Sequence, residues 1–125
     1  MYTKILLLAL AGALGTLARY GTGILVERHA TGIFPWATLV VNMIGCFLFG
    51  LIYMLAEERF DWTGDIRVII LTGFMGAFTT YSAFAAQTTN LLRDSQWLLA
   101  ATNILAHNIL GIICILLGLA LGKLI

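Results

Sequence analysis

The sequence predicts an all-α membrane protein with four transmembrane helices, the third of which is broken near its middle. The chain is 61% hydrophobic and only 10% charged, whereas a soluble domain carries about 25% charged residues. Four apolar segments each approach the roughly 20 residues that cross a bilayer. Glycines and hydroxyl side chains are concentrated inside the third segment. At 125 residues, the chain is expected to form one domain over residues 1–125.

Short polar stretches separate the four predicted spans. We place the spans at residues 4–26, 35–56, 66–92 and 97–122. Pro35 is tolerated in a first helical turn and Trp36 favours the membrane interface, so together they mark the start of the second span. The charged stretch 57–65 is expected to lie in water. The apolar run near the N-terminus is longer than a signal-peptide core and is interpreted as a retained helix.

Composition and charge disfavour several classes of function. A net charge of +1 provides no basic surface for nucleic acid. Cys46 and Cys114 lie in apolar runs without neighbouring metal ligands, so neither a disulfide framework nor a zinc site is expected. No nucleophile–base pair or phosphate-binding loop is present, which predicts that the protein is not an enzyme.

The third span contains the most unusual segment, residues 72–84. Gly73 and Gly76 weaken a helix, and they precede the adjacent pair Thr79 and Thr80. A break inside a bilayer is tolerated only where the freed backbone groups face protein, water or an ion. We therefore predict a broken helix at about Gly76–Thr79, at the functional centre of the molecule.

Few polar side chains lie inside the other spans. Arg19 is the only intramembrane charge, and it either extends to the interface, attracts an anion or caps backbone carbonyls. Asn42 is expected either to form a hydrogen bond between helices or to line a polar path, because an unpaired amide in hydrocarbon is costly. Asn103 and His107 lie one turn apart on one face, where they either line a pore or form a buried pair.

Two aromatic side chains directly follow the predicted break. Tyr81 and Phe84 are three residues apart and share a helix face. The electropositive edges of such rings can contact a small anion without trapping it. Phenylalanines at helical spacing more often pack than bind, and this is the interpretation for Phe74 and Phe78.

Four short helices enclose little volume, and the spans are rich in glycine, which lets transmembrane helices approach closely. We therefore expect an oligomer. Lys4, Arg59, Arg67 and Lys123 fall on one side of the membrane, against Arg28 and Arg93 on the other. So modest a bias under the positive-inside rule predicts that the chain can insert in both orientations.

Three motifs together resemble the Fluc family of fluoride channels over essentially the whole chain. The motifs are residues 12–20 (GALGTLARY), 38–47 (TLVVNMIGCF) and 73–84 (GFMGAFTTYSAF).

The resemblance implies passive, fluoride-selective export across a bacterial inner membrane. It also implies an antiparallel, dual-topology homodimer with two pores and a structural sodium ion at its centre. Carried over residue by residue, the backbone carbonyls of Gly76 and Thr79 would hold the sodium. The pore and fluoride-binding residues would be Arg19, Asn42, Thr80, Tyr81, Ser82, Phe84 and His107.

The sequence departs from the family pattern at two places. Tyr81 and Ala83 replace a phenylalanine and a threonine, and the added hydroxyl of Tyr81 bears on conductance more than on fold. Gly111 and Ile115 follow His107 where a track of hydroxyl groups is expected.

Two other classes of function are considered. One is a small multidrug exporter of similar size, but such proteins generally need an intramembrane carboxylate, and no predicted span contains one. The other is an assembly subunit without a pore, which does not explain the polar groups around residues 73–84.

Overall fold

The computed structural model describes residues 1–60, 62 and 64–125, and within them it contains four long helical spans. We name them α1 (Tyr2–Glu27), α2 (Trp36–Glu58), α3 (Gly64–Arg93) and α4 (Trp97–Leu124). All four are long and apolar enough to cross a membrane. The prediction of four spans is confirmed, and each predicted end lies within about two residues of the observed one. Asp61 and Thr63, in the stretch predicted to lie in water, are outside the described residues.

The span α3 consists of two helical halves. Its first half, α3a (residues 64–78), includes a π-helical stretch at Val68–Met75, and its second half, α3b, is Tyr81–Arg93. Between them Thr79 and Thr80 are extended, with ψ angles of 157° and 110°. The break therefore lies at Thr79–Thr80.

This position corrects the prediction that the break spans Gly76–Thr79. Gly76 is helical, with φ −64° and ψ −32°, and Gly73 lies inside the π-helical stretch. A Cβ atom on Gly73 would lie 3.1 Å from the Cβ of Ala11 in α1. Gly73 thus provides room for a neighbouring helix rather than a break.

The helices pack mainly as two pairs, α1 against α3a and α2 against α4. In the α2–α4 pair, a Cβ on Gly50 would overlap the carbonyl oxygen of Ile115, and one on Gly118 would overlap that of Phe47. The two backbones therefore approach each other as closely as glycine alone permits. The prediction that glycines mediate close helix packing is confirmed here.

A small core lies where α2 meets α3a. Val41, Met75 and Phe78 are buried, and the ring of Phe74 stacks on that of Phe78 at 6.1 Å with an interplanar angle of 7°. The packing interpretation of Phe74 and Phe78 agrees with this arrangement.

Ion pairs hold the helix ends on one side of the bundle together. Lys4 Nζ lies 2.6 Å from Asp65 Oδ1, and Arg67 lies 3.8 Å from Glu57 Oε1. The start of α1, the end of α2 and the start of α3 therefore share one side. Since α3 starts on this side and the break lies roughly halfway along it, the break lies near the middle of the bundle.

Candidate functional site

Asn42 of α2 holds the break in α3 open. The backbone N–H of Thr80 donates to Asn42 Oδ1 at 2.9 Å, and Asn42 Nδ2 donates to the Thr80 carbonyl at 3.2 Å. One side-chain amide thus satisfies both backbone groups of one residue. Asn42 is buried, at 8% exposure, where an unpaired amide would be costly. We call this pair of bonds the Asn42–Thr80 bridge.

Local hydrogen bonds complete the two helix ends at the break. Thr79 Oγ1 donates to the Met75 carbonyl at 3.0 Å and closes α3a. Thr80 is the N-cap of α3b, and its Oγ1 accepts from the Ala83 N–H at 3.3 Å. Thr80 Oγ1 also lies 3.4 Å from Ser82 Oγ.

The break removes the helical donors of four carbonyl groups, those of residues 76–79, and two of these donors have new partners. In an uninterrupted α-helix the Thr80 N–H would donate to the Gly76 carbonyl, and the Ala83 N–H to the Thr79 carbonyl. Here the first donates to Asn42 and the second to the Thr80 side chain. Gly76 is exposed on the surface of the chain. The carbonyl oxygens of Gly76 and Thr79 are thus among those available for another partner.

A cavity of about 350 Å³ opens beside the break, and five of the seven predicted pore residues line it. We call it the Phe84 cavity; these five residues are Asn42, Thr80, Tyr81, Phe84 and His107. The Tyr81 and Phe84 ring centroids are 5.4 Å apart at 60°, and the Phe84 and His107 centroids are 4.4 Å apart. Tyr81 is 79% exposed, whereas Phe84 is 8% exposed. The predicted shared face of Tyr81 and Phe84 is confirmed.

Asn103 and His107 turn out to have different surroundings. Asn103 is fully buried, and its Nδ2 donates to Thr88 Oγ1 of α3b at 2.9 Å. His107 lines the Phe84 cavity, and its Nδ1 contacts the backbone oxygen of Asn103 at 3.0 Å. Asn103 is therefore a buried, hydrogen-bonded residue, whereas His107 lines the cavity.

Sequence reasoning missed two polar residues of this region. Thr88 receives the Asn103 amide, and it was detectable as a hydroxyl four residues after Phe84 on the same helix face. Asn108 lines the Phe84 cavity and donates to the Ile104 carbonyl at 2.7 Å. Its position next to His107 in the sequence could have indicated that it lies at the same site.

The remaining two predicted pore residues lie outside the Phe84 cavity. Arg19 lines a second cavity of about 420 Å³, bounded also by Thr38 of α2 and by Thr80. Since Thr80 lines both cavities, the Asn42–Thr80 bridge stands at their boundary. Ser82 is exposed and contacts Thr80 instead of lining either cavity.

Comparison with known proteins is consistent across the chain. A family model described as CrcB-like protein, Camphor Resistance (CrcB), matches residues 6–119. A protein of Nitrosococcus oceani named fluoride-specific ion channel FluC is 54% identical over 125 residues, covering all of both chains. Proteins of the same name from Desulforapulum autotrophicum and Nitratidesulfovibrio vulgaris strain Miyazaki F are 46% and 48% identical, over 100% and 98% of both chains. The chain belongs to the CrcB-like family.

Proposed function

We propose that this protein is a passive, fluoride-selective channel that exports fluoride from the cytoplasm across a bacterial inner membrane. The observation that carries the proposal is the Phe84 cavity beside the α3 break. It combines ring edges, an amide and an imidazole at the depth where an ion must shed water. The relatives named fluoride-specific ion channels support the same activity.

The chemistry of the cavity suits a small anion that must both bind and leave. None of the described residues lining it is Asp, Glu, Lys or Arg, so no fixed charge traps an ion there. Aromatic edges and amide N–H groups offer weak positive potential. Selective conduction requires binding that is favourable enough to admit the ion and weak enough to release it. Arg19, in the adjoining cavity, would raise the local anion concentration.

We further propose that the chain works as an antiparallel, dual-topology homodimer with two pores. Gly76 and Tyr81 are exposed although they lie at the break, midway along α3. Freed carbonyls and a phenol are poorly suited to lipid, and a second copy would cover them. The weak charge bias supports insertion of the chain in both orientations.

A structural sodium ion between the two copies fits the residues at the break. The carbonyls of Gly76 and Thr79 are among the four that lose their helical donors at the break, and hard alkali cations prefer oxygen ligands. Two chains would contribute four such oxygens. A bound cation would supply the positive charge that balances them and would join the copies.

Sodium dependence is tested by stability, independently of conduction. Protein purified in sodium-free N-methylglucamine chloride should unfold several degrees lower than protein in sodium chloride of equal ionic strength, because a ligand bound only to the folded dimer stabilises it. Equal unfolding temperatures, measured by tryptophan fluorescence, would remove the sodium from the proposal.

The function itself is tested with purified protein in liposomes. Fluoride loaded inside should leave rapidly when an ionophore dissipates the membrane potential, while chloride under the same conditions stays inside. A small multidrug exporter would instead move a quaternary ammonium dye in response to a proton gradient. Fluoride efflux no faster than in protein-free liposomes would overturn the proposal.

A further inference from the structure

We propose that His107 forms a proton-dependent anion site in the Phe84 cavity, binding fluoride only when its imidazole is charged. The inference rests on the proposed function and deepens it, since it makes fluoride flux depend on pH. It follows from hydrogen bonds that fix which atoms of the ring can donate.

A hydrogen bond to the backbone fixes the neutral tautomer of His107. Its Nδ1 lies 3.0 Å from the backbone oxygen of Asn103. A carbonyl oxygen only accepts hydrogen bonds, so Nδ1 must carry a proton. In the neutral ring the other nitrogen, Nε2, is then a bare acceptor. This atom is buried and has no hydrogen-bond partner among the described residues.

The hydrogen bonds of Thr88 and Asn103 prevent these two side chains from donating to Nε2. Thr88 Oγ1 donates to the Phe84 carbonyl at 2.8 Å, so it accepts from Asn103 Nδ2. This fixes the Asn103 amide with Oδ1 as its free end, and Oδ1 is likewise a buried acceptor without a partner. His107 Nε2 and Asn103 Oδ1 are therefore two buried acceptors, and neither has a hydrogen-bond donor among the described residues.

The ring of His107 is anchored to α4 through Nδ1 and packs against Phe84 of α3b. Nδ1 faces the backbone of its own helix, and Nε2 is on the opposite side of the five-membered ring. The ring packs against Phe84 at 4.4 Å between centroids and lines the cavity with Tyr81 and Asn42. In the neutral state the wall of this cavity therefore contains a buried, unprotonated Nε2, and its lone pair disfavours an anion nearby. Protonation converts that lone pair to an N–H donor, and charge-assisted bonds are the stronger kind.

Among the described residues that line the cavity, His107 is the only histidine. The titratable side chains facing this region are Tyr81 from α3b and Cys46 from α2, with Cys114 two turns along α4. Arg19 belongs to the adjoining cavity. Histidine is the side chain whose ordinary charge change falls between about pH 5 and 8. Flux should therefore fall as pH rises, because the donor is lost.

The experiment measures fluoride efflux from liposomes with equal pH on both sides, from pH 6.0 to pH 8.0. Efflux from protein-free liposomes is subtracted to remove leakage of the neutral acid. We expect flux through the unmodified protein to fall by at least about twentyfold over this range, as the charged fraction of a histidine falls. His107→Gln places an amide N–H₂ donor there without titration, so its flux should be flat and should exceed that of the unmodified protein at pH 8.0.

His29 offers a matched control. Its Nδ1 also contacts a backbone oxygen four residues earlier, that of Leu25 at 2.9 Å, but the side chain is exposed. His29→Gln should keep the pH dependence of the unmodified protein. His107→Leu, which has no donor, should conduct poorly at every pH while remaining dimeric by size-exclusion chromatography.

The outcomes separate this inference from the proposed function. If fluoride flux is present but independent of pH, or if His107→Gln retains the pH dependence, the role of His107 is overturned and the channel stands. The same holds if His29→Gln abolishes the dependence. Absence of fluoride flux above background at every pH would overturn the channel and this site together.

Discussion

Phe78 and Phe84 are similarly hidden, at 4% and 8% exposure, but they touch different surroundings. Phe78 stacks on Phe74 in the core between α2 and α3a. Phe84 lies against His107 and lines the cavity. Burial alone therefore does not distinguish the two rings, whereas their contacts place Phe78 in the core and Phe84 at the cavity.

Substitution by isoleucine should separate the two rings. Phe84→Ile keeps much of the volume but removes the electropositive ring edge, so fluoride efflux per folded dimer should drop by at least tenfold. Phe78→Ile should lower the free energy of unfolding by about 1–3 kcal/mol, as core substitutions do, and leave efflux per folded dimer nearly unchanged. Equal loss of efflux in both variants would mean that both rings only pack.

At the scale of the helices, the spans were predictable because bilayer thickness fixes their length. The position of the break was harder to predict. Gly73 and Gly76 suggested it from within α3, but the group that replaces the helical partner of the Thr80 N–H is Asn42, 38 residues away on α2. Local sequence contains no signal for that pairing. The burial of Asn103 depended in the same way on Thr88 of a different helix.

Gly118 allows the close approach of α2 and α4, and its substitution tests that packing. Gly118→Ala would drive a methyl group into the carbonyl of Phe47 and within 2.8 Å of the Leu51 nitrogen. Overpacking typically costs about 1–3 kcal/mol, and two backbones have little room to move, so the unfolding temperature in detergent should fall. Gly21→Ala on α1, where nothing lies within 4 Å of the new atom, serves as the control and should not destabilise the chain. Comparable loss in both variants would contradict the close-packing argument.

For the whole molecule, the four-to-two distribution of basic residues is the feature with the widest consequence. Reporter proteins fused to the C-terminus should reveal chains facing both sides of the membrane. Adding two or three lysines to the loops of one side should lock the orientation. If two such variants locked in opposite senses are co-expressed, fluoride resistance should return, while either alone should fail. A single fixed orientation of the unmodified chain would contradict the antiparallel dimer.

The Asn42–Thr80 bridge also bears on the order in which the chain assembles in the membrane. Thr80 can cap α3b by itself, but the partner that takes its backbone N–H away from Gly76 arrives from another helix. Before α2 docks, the Thr80 N–H of a newly inserted third span lacks its Asn42 acceptor, which favours the helical bond to Gly76. Docking then exchanges a helical bond for a bridge and releases the carbonyls in the same step. We therefore expect the opening of the α3 break to be coupled to the docking of α2, so that a chain in which α2 has not docked keeps an uninterrupted third helix.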